Sequence, residues 1–202
     1  MTTPPPGWDA VYEASTPAPW DIGRPQPAFV RLADRGLLSG RVLDAGCGSG
    51  EHALLAAARG ADAVGVDISP RAIERARRKA AERGLTARFE AADALNLGQL
   101  GLTFDTVIDC GLFHVFDDDS RGRYVVSLAS VLRSGGSCYL MCFSDRQPGG
   151  FGPRRVRQEE LLAAFSDGWT VTGITADAFE INPTAGFGTT AAQAWLATIR
   201  RE

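Results

Sequence analysis

From residue 41 onward, short apolar runs alternate with longer amphipathic stretches. The runs RVLDA (41–45), DAVGVDI (62–68), TARFEAAD (86–93), FDTVIDC (104–110) and SCYLMCF (137–143) read as strands. Between them lie helical patterns with recognisable ends. EHALLAAAR (51–59) stops at Gly60, a residue suited to the left-handed cap. The next helix opens with Ser69 as N-cap and Pro70 at its first position, and closes at Gly84. A third spans about 120–132, led by the acidic run Asp117 to Asp119 and ended by SGG at 134–136. QEELLAAF (158–165) predicts a short helix, and WTVTGITA (169–176) and AAQAWLATI (191–199) predict two late strands. A helix over about 28–35 stops near Gly36.

Strand–helix alternation with nearly continuous apolar strands predicts an α/β fold, a mostly parallel sheet with helices on both faces. In such a sheet ligands sit at the carboxyl ends of the strands. One domain is expected over 28–202. Residues 1–27 form a separate arm, proline-rich and carrying Trp8, Tyr12 and Trp20, and its first seven residues are expected to be disordered.

Composition narrows the choice. The chain has 202 residues, 45% hydrophobic and 22% charged, which is ordinary for a globular protein. A net charge of -3 argues against a dedicated nucleic-acid binder. No apolar run reaches the ~18 residues of a membrane span, and the start lacks the features of a signal peptide. The four cysteines (47, 110, 138 and 142) form no CxxC pair. They read as reduced thiols in a cytoplasmic protein. With two histidines and no ligand-spaced cluster, no metal site is expected.

The chemistry gathers after the first strand. In VLDAGCGSGEHALL, Gly46, Gly48 and Gly50 let a ligand lie against bare backbone. A dinucleotide fingerprint would need a third glycine at position 51, which is Glu51. Asp44, just before the loop, would repel a pyrophosphate and attract a cationic group. Asp67 ends the second strand, 23 residues after Asp44, close to the ~20-residue offset of a ribose-binding carboxylate. Asp93 follows the third strand. One acid after each of three consecutive strands forms a constellation; singly, each would pass for a cap or turn residue.

The strings VLDAGCGSG, VGVDIS, EAADAL, FDTVID and VLRSGGSCYL together resemble the ordered motifs of class I S-adenosylmethionine-dependent methyltransferases. That resemblance implies a Rossmann-like sheet of seven strands with the last antiparallel, and S-adenosylmethionine as cofactor. It implies that Gly46, Cys47, Gly48 and Gly50 line the methionine and ribose portion, with Asp44 near the amino group. Asp67 and Ile68 would hold the ribose, Ala92, Asp93 and Ala94 the adenine, and Cys110 would border the site.

The flanks look like the thiopurine, thiol and halide methyltransferases and the related tellurite-detoxifying enzymes. The likeness lies in the arm GWDAVYEASTPAPWDIGRPQPAF, the lid-like FSDRQPGGFGPRRV and the late TADAFEIN. It implies that Trp20 covers the cofactor, that Arg24 and Phe113 border the acceptor, and that Arg154 or Arg155 meets it. A small-molecule acceptor with a soft nucleophile, such as a thiol, is the favoured expectation, with no nucleic-acid or membrane partner. His114, after the fourth strand, is the candidate general base; packing is its other reading. Two alternatives stay open. One is an O- or N-methyltransferase of a small metabolite using His114. The other is a non-catalytic S-adenosylmethionine-binding protein.

Overall fold

The computed structural model describes residues 7–13, 18–150, 152–182 and 189–202. Of the seven residues expected to be disordered, the first six lie outside them, and Gly7 is placed, its carbonyl accepting from the Val11 N–H at 3.0 Å. The strands are β1 (Arg41–Ala45), β2 (Asp62–Asp67), β3 (Arg88–Ala91), β4 (Phe104–Cys110), β5 (Leu132–Phe143), β6 (Trp169–Glu180) and β7 (Ala191–Arg201). They form one sheet in the order β3-β2-β1-β4-β5-β7-β6. β1 to β5 pair in parallel, and β7 runs antiparallel to both β5 and β6. The expected Rossmann-like sheet of seven strands with an antiparallel last strand is therefore the fold.

Helices α1 (Trp8–Glu13), α2 (Pro27–Asp34), α3 (Glu51–Ala58), α4 (Pro70–Glu82), α5 (Asp118–Val131) and α6 (Gln158–Ala164) complete the chain. Two apolar clusters form the core, and β5 contributes alternately to each. Cys138, Leu140 and Cys142 enter the first, Tyr139 and Met141 the second. A strand buried on both faces reads as a continuous apolar run, which is why SCYLMCF is nearly free of polar residues. The start signals are also found: the Ser69 hydroxyl accepts from the Ala72 N–H, and Asp117 accepts from the Ser120 N–H.

Three features depart from the expectation. α1 carries too little periodicity to announce itself, and packs on α4. β5 begins at Leu132 rather than Ser137, with an irregular register opposite Phe104 and Thr106. The β3–β4 crossover is a 3-10 helix, Ala94–Leu100. Among the described residues no helix is long and apolar enough to cross a membrane.

Candidate cofactor and acceptor site

The carboxyl ends of β1, β2 and β4 open into a cleft of about 1000 Å³. That is the top of the ~300–1,000 Å³ range of a single-ligand pocket, so two small ligands fit side by side. Gly46, Cys47, Gly48, Asp67, Ile68, Ala92, Asp93, Ala94 and Cys110 line it, bringing together residues from four separate parts of the sequence. Gly48 takes φ +52°, and a Cβ there would stand 2.6 Å from the Tyr12 hydroxyl. Gly50 lies beneath the cleft instead. At φ +87° it starts α3, and a Cβ would meet Ala76 and the Phe89 ring at 2.8 Å.

Asp44 also lies below the surface, 1% exposed. Its Oδ2 accepts from the Ala53 N–H at 2.9 Å, while Oδ1 has no partner among the described residues. Burial pushes its carboxyl up to about 7 against that hydrogen bond, with Asp67 and Asp109 adding repulsion. Asp67 accepts from the Gly48 and Ser69 N–H groups, each at 2.9 Å, and burial raises it too. Asp93 caps the 3-10 helix, accepting from Leu95 N–H and Asn96 Nδ2.

The arm closes this end of the cleft. Asp9 on α1 accepts from the Ser69 hydroxyl at 2.6 Å and the Arg71 N–H at 3.2 Å, while Arg71 reaches Glu13 at 3.0 Å. α1 is thereby held at the N-terminus of α4, and Tyr12 is laid over the glycine loop. Trp20 Nε1 donates to the Tyr12 hydroxyl at 3.2 Å, and Trp8 packs edge-on against Trp20. Burial and the nearby Asp67 push the Tyr12 phenol well above its ordinary range, so it stays protonated. Arg24 lines the cleft but is paired with Glu180. Beside the arm, His52 Nε2 accepts from the Gln26 N–H at 3.1 Å. Burial holds His52 neutral, down to about 4.

At the other end stand His114, Phe143 and Phe179, with ring centroids 4.8 to 5.9 Å apart. His114 is 6% exposed, and its Nδ1 accepts from the Phe143 N–H at 2.9 Å. A backbone N–H only donates, so in the neutral ring the proton sits on Nε2. Burial drives His114 down to about 3, with Arg121 and Arg155 pushing the same way. Its Nε2 lies beside Gly111, 3.4 Å from where a Cβ would stand, and no described residue takes its proton.

Two expected acceptor residues lie elsewhere. Phe113 is fully buried against Phe165 and beneath the Arg121 guanidinium, because its short 3-10 helix turns that side chain into the core. Arg154 points away from the cleft and is paired with Asp118 and Glu160. Arg155 does line the cleft, with its guanidinium bonded to loop carbonyls. Tyr12, Phe143 and Phe179 were not singled out as site residues. Phe143 ends a strand pointing at the cleft, and that position was the available signal.

The comparisons agree with this geometry. Residues 42–136 match a family model described as a methyltransferase domain. The 2-heptyl-1-hydroxyquinolin-4(1H)-one methyltransferase of Mycobacteroides abscessus is 38% identical over 170 residues, covering 83% of this chain and 75% of its own. A probable thiol methyltransferase of Arabidopsis thaliana is 29% identical over 156 residues, covering 76% and 69%. A solved structure from work on converting a disulfide bond into a thioacetal group during echinomycin biosynthesis superposes with a TM-score of 0.86 at 39% identity. The match covers 96% of this chain and 91% of that one.

The chain belongs to the class I S-adenosylmethionine-dependent methyltransferases. It is an enzyme of the kind that methylates small molecules, and S-adenosylmethionine is its cofactor. The residues present fit that cofactor. The unpartnered Asp44 Oδ1 suits an ammonium, the bare backbone at Gly46 and Gly48 suits a close approach, and Asp67 retains lone pairs for a ribose diol.

Proposed function

We propose that this enzyme methylates a planar, largely apolar small molecule through a nucleophile already ionised near neutral pH, a thiolate foremost. The carrying observation is the Phe143 N–H bond to His114 Nδ1. It leaves the neutral imidazole with a proton on the edge beside Gly111, so His114 serves as a donor and has no free lone pair for a proton. Using it as a general base requires breaking that backbone bond first, which disfavours the alternative of a neutral alcohol or amine acceptor activated by His114.

When bound, S-adenosylmethionine supplies an electrophilic methyl group on a sulfonium. An acceptor lone pair would take that methyl as the carbon–sulfur bond broke, with S-adenosylhomocysteine as the leaving group. The protein's work is then to hold and align, worth up to ~7–11 kcal/mol of the barrier. Phe143, Phe179 and Phe116 offer flat apolar walls. Tyr12 and Trp20 shield the cofactor end from water. His114 Nε2–H steadies an anionic atom without neutralising it.

The relatives' names support this reading. One names a thiol; the other names an N-hydroxy heterocycle, and both groups ionise more readily than an ordinary alcohol. The free thiols of Cys47, Cys110, Cys138 and Cys142 support a cytoplasmic setting.

The test is the pH profile of kcat/KM for a series of aryl thiols of graded acidity. The inflection is expected to move with the acceptor and to keep its position in His114→Gln. An inflection that stays fixed across acceptors and disappears in His114→Gln would restore the general base.

A further inference from the structure

The chain between β5 and α6 folds back onto the cleft. Its base is fastened where Ser144 and Val156 pair in parallel, with Val156 N–H donating to Phe143 O at 2.9 Å. Trp195 Nε1 on β7 donates to Asp145 Oδ1 and Val156 O, both at 3.1 Å. Gln147 Oε1 accepts from the Gln193 N–H at 2.6 Å. Beyond this base, Pro148, Gly149, Gly150, Gly152 and Pro153 face the acceptor end. Phe151 lies outside the described residues.

One guanidinium gathers this turn. Arg155 donates from Nη1 to Pro153 O at 2.6 Å, from Nη2 to Pro148 O at 3.2 Å and from Nε to Gln147 O at 3.4 Å. Its plane lies over the Phe143 ring, 5.5 Å from the centroid. Three edges of a planar fork on three carbonyls is a task that lysine cannot repeat. The charge around it matters as well. Asp67, Asp93, Asp117 and Asp119 line the cleft together with the guanidinium groups of Arg123 and Arg155, while the Arg24 cation is already matched by Glu180. A carboxylate-rich cleft suits a cationic cofactor and repels any surplus negative charge.

The geometry points to Arg155 as a positioning residue. It clasps the Gln147, Pro148 and Pro153 carbonyls into a fixed wall of the acceptor end, while the surplus of carboxylates in the cleft disfavours acceptors with a fixed negative charge beyond the reacting atom. This departs from the expectation that Arg155 meets the acceptor directly. It rests on the proposed planar acceptor, but not on which atom attacks.

The test uses matched pairs: thiophenol against 4-mercaptobenzoate, and 1-hydroxyquinolin-4-one against its ring carboxylate. KM and kcat are measured for wild type, Arg155→Lys and Arg155→Gln. Calorimetry on the S-adenosylhomocysteine complex reads acceptor binding without turnover. The uncharged member of each pair is expected to be favoured about tenfold or more. Both variants should raise KM for both members by a similar factor, about tenfold, leaving the preference and the S-adenosylhomocysteine Kd unchanged. Two results would overturn the inference. One is a wild-type preference for the carboxylate. The other is a loss in Arg155→Gln confined to the carboxylate member and repaired in Arg155→Lys. Failure of the proposed nucleophile shifts all rates by acceptor acidity and leaves the within-pair ratios intact, so the two failures are distinguishable.

Discussion

The Phe143 N–H donates to His114 Nδ1 across 2.9 Å, and this bond sets which edge of the imidazole is left for the cleft. Burial holds His114 neutral down to about 3, far below its ordinary 6.5. Between those values the unfolded chain binds a proton that the folded one refuses, so His114 subtracts stability as pH falls through this window. His114→Gln should therefore lose less stability on acidification from pH 7 to 5 than wild type. His114→Ala, which removes the donor altogether, should lower kcat/KM about 10- to 100-fold. Thermal melts across pH and steady-state kinetics check both parts.

Asp44 works in the opposite sense. Its folded-state value of about 7 lies above the ordinary 3.8, so its contribution is fully present below 3.8 and is lost as pH rises through 7. Asp44→Asn keeps an acceptor for the Ala53 N–H and removes the buried charge. The ligand-free variant should be more stable than wild type at pH 8, by about 1–3 kcal/mol, with the gain gone by pH 4. Its S-adenosylhomocysteine Kd should rise about tenfold or more, because an ammonium loses its counter-ion. A variant that binds as tightly as wild type would remove Asp44 from the cofactor site.

The glycine loop separates binding from stability. In Gly48→Ala the new methyl meets the Tyr12 hydroxyl, the tip of a side chain on the arm. In Gly50→Ala it meets the Ala76 methyl and the Phe89 ring in the core. Gly50→Ala should cost about 2–4 kcal/mol in denaturant unfolding. Gly48→Ala should cost nearer 1 kcal/mol but weaken cofactor binding about tenfold or more by displacing the arm. Equal losses of stability would contradict this division.

Asp9 should behave as a fastener. Asp9→Ala leaves the Ser69 hydroxyl able to cap Ala72 but removes the carboxylate that holds α1 to it. We expect a weaker S-adenosylhomocysteine complex, about three- to tenfold, and faster proteolysis of the arm. Global stability should stay within about 1 kcal/mol. An unchanged cleavage rate would show that the aromatic contacts alone hold the arm.

The sheet was legible because strands buried on both faces leave an unmistakable apolar record, and Ser69, Asp117 and Gly60 mark helix ends chemically. Asp67, Asp93, Gly46 and Gly48 announced the cleft they line through their position after strands. The acceptor end was less legible, because its residues come from segments whose direction is set by tertiary contacts. Phe113 and His114 are neighbours, yet a 3-10 turn sends one into the core and the other to the cleft. Arg154 and Arg155 differ as sharply: one is claimed by Asp118 and Glu160, the other by loop carbonyls. α1 left almost no trace because six residues cannot show a period, and its stability comes from α4.

The Gln26 side chain pairs with the β6 backbone in both directions. Its Nε2 donates to Glu180 O at 2.9 Å and its Oε1 accepts from the Glu180 N–H at 2.8 Å, while Asn182 N–H donates to Pro19 O at 2.8 Å. β6 is the outermost strand, and an open sheet margin is a template for another chain. The segment that closes one end of the cleft thus also caps one end of that margin. A chain lacking the arm would bare the Glu180 and Asn182 peptide groups at that margin, and is expected to self-associate more readily.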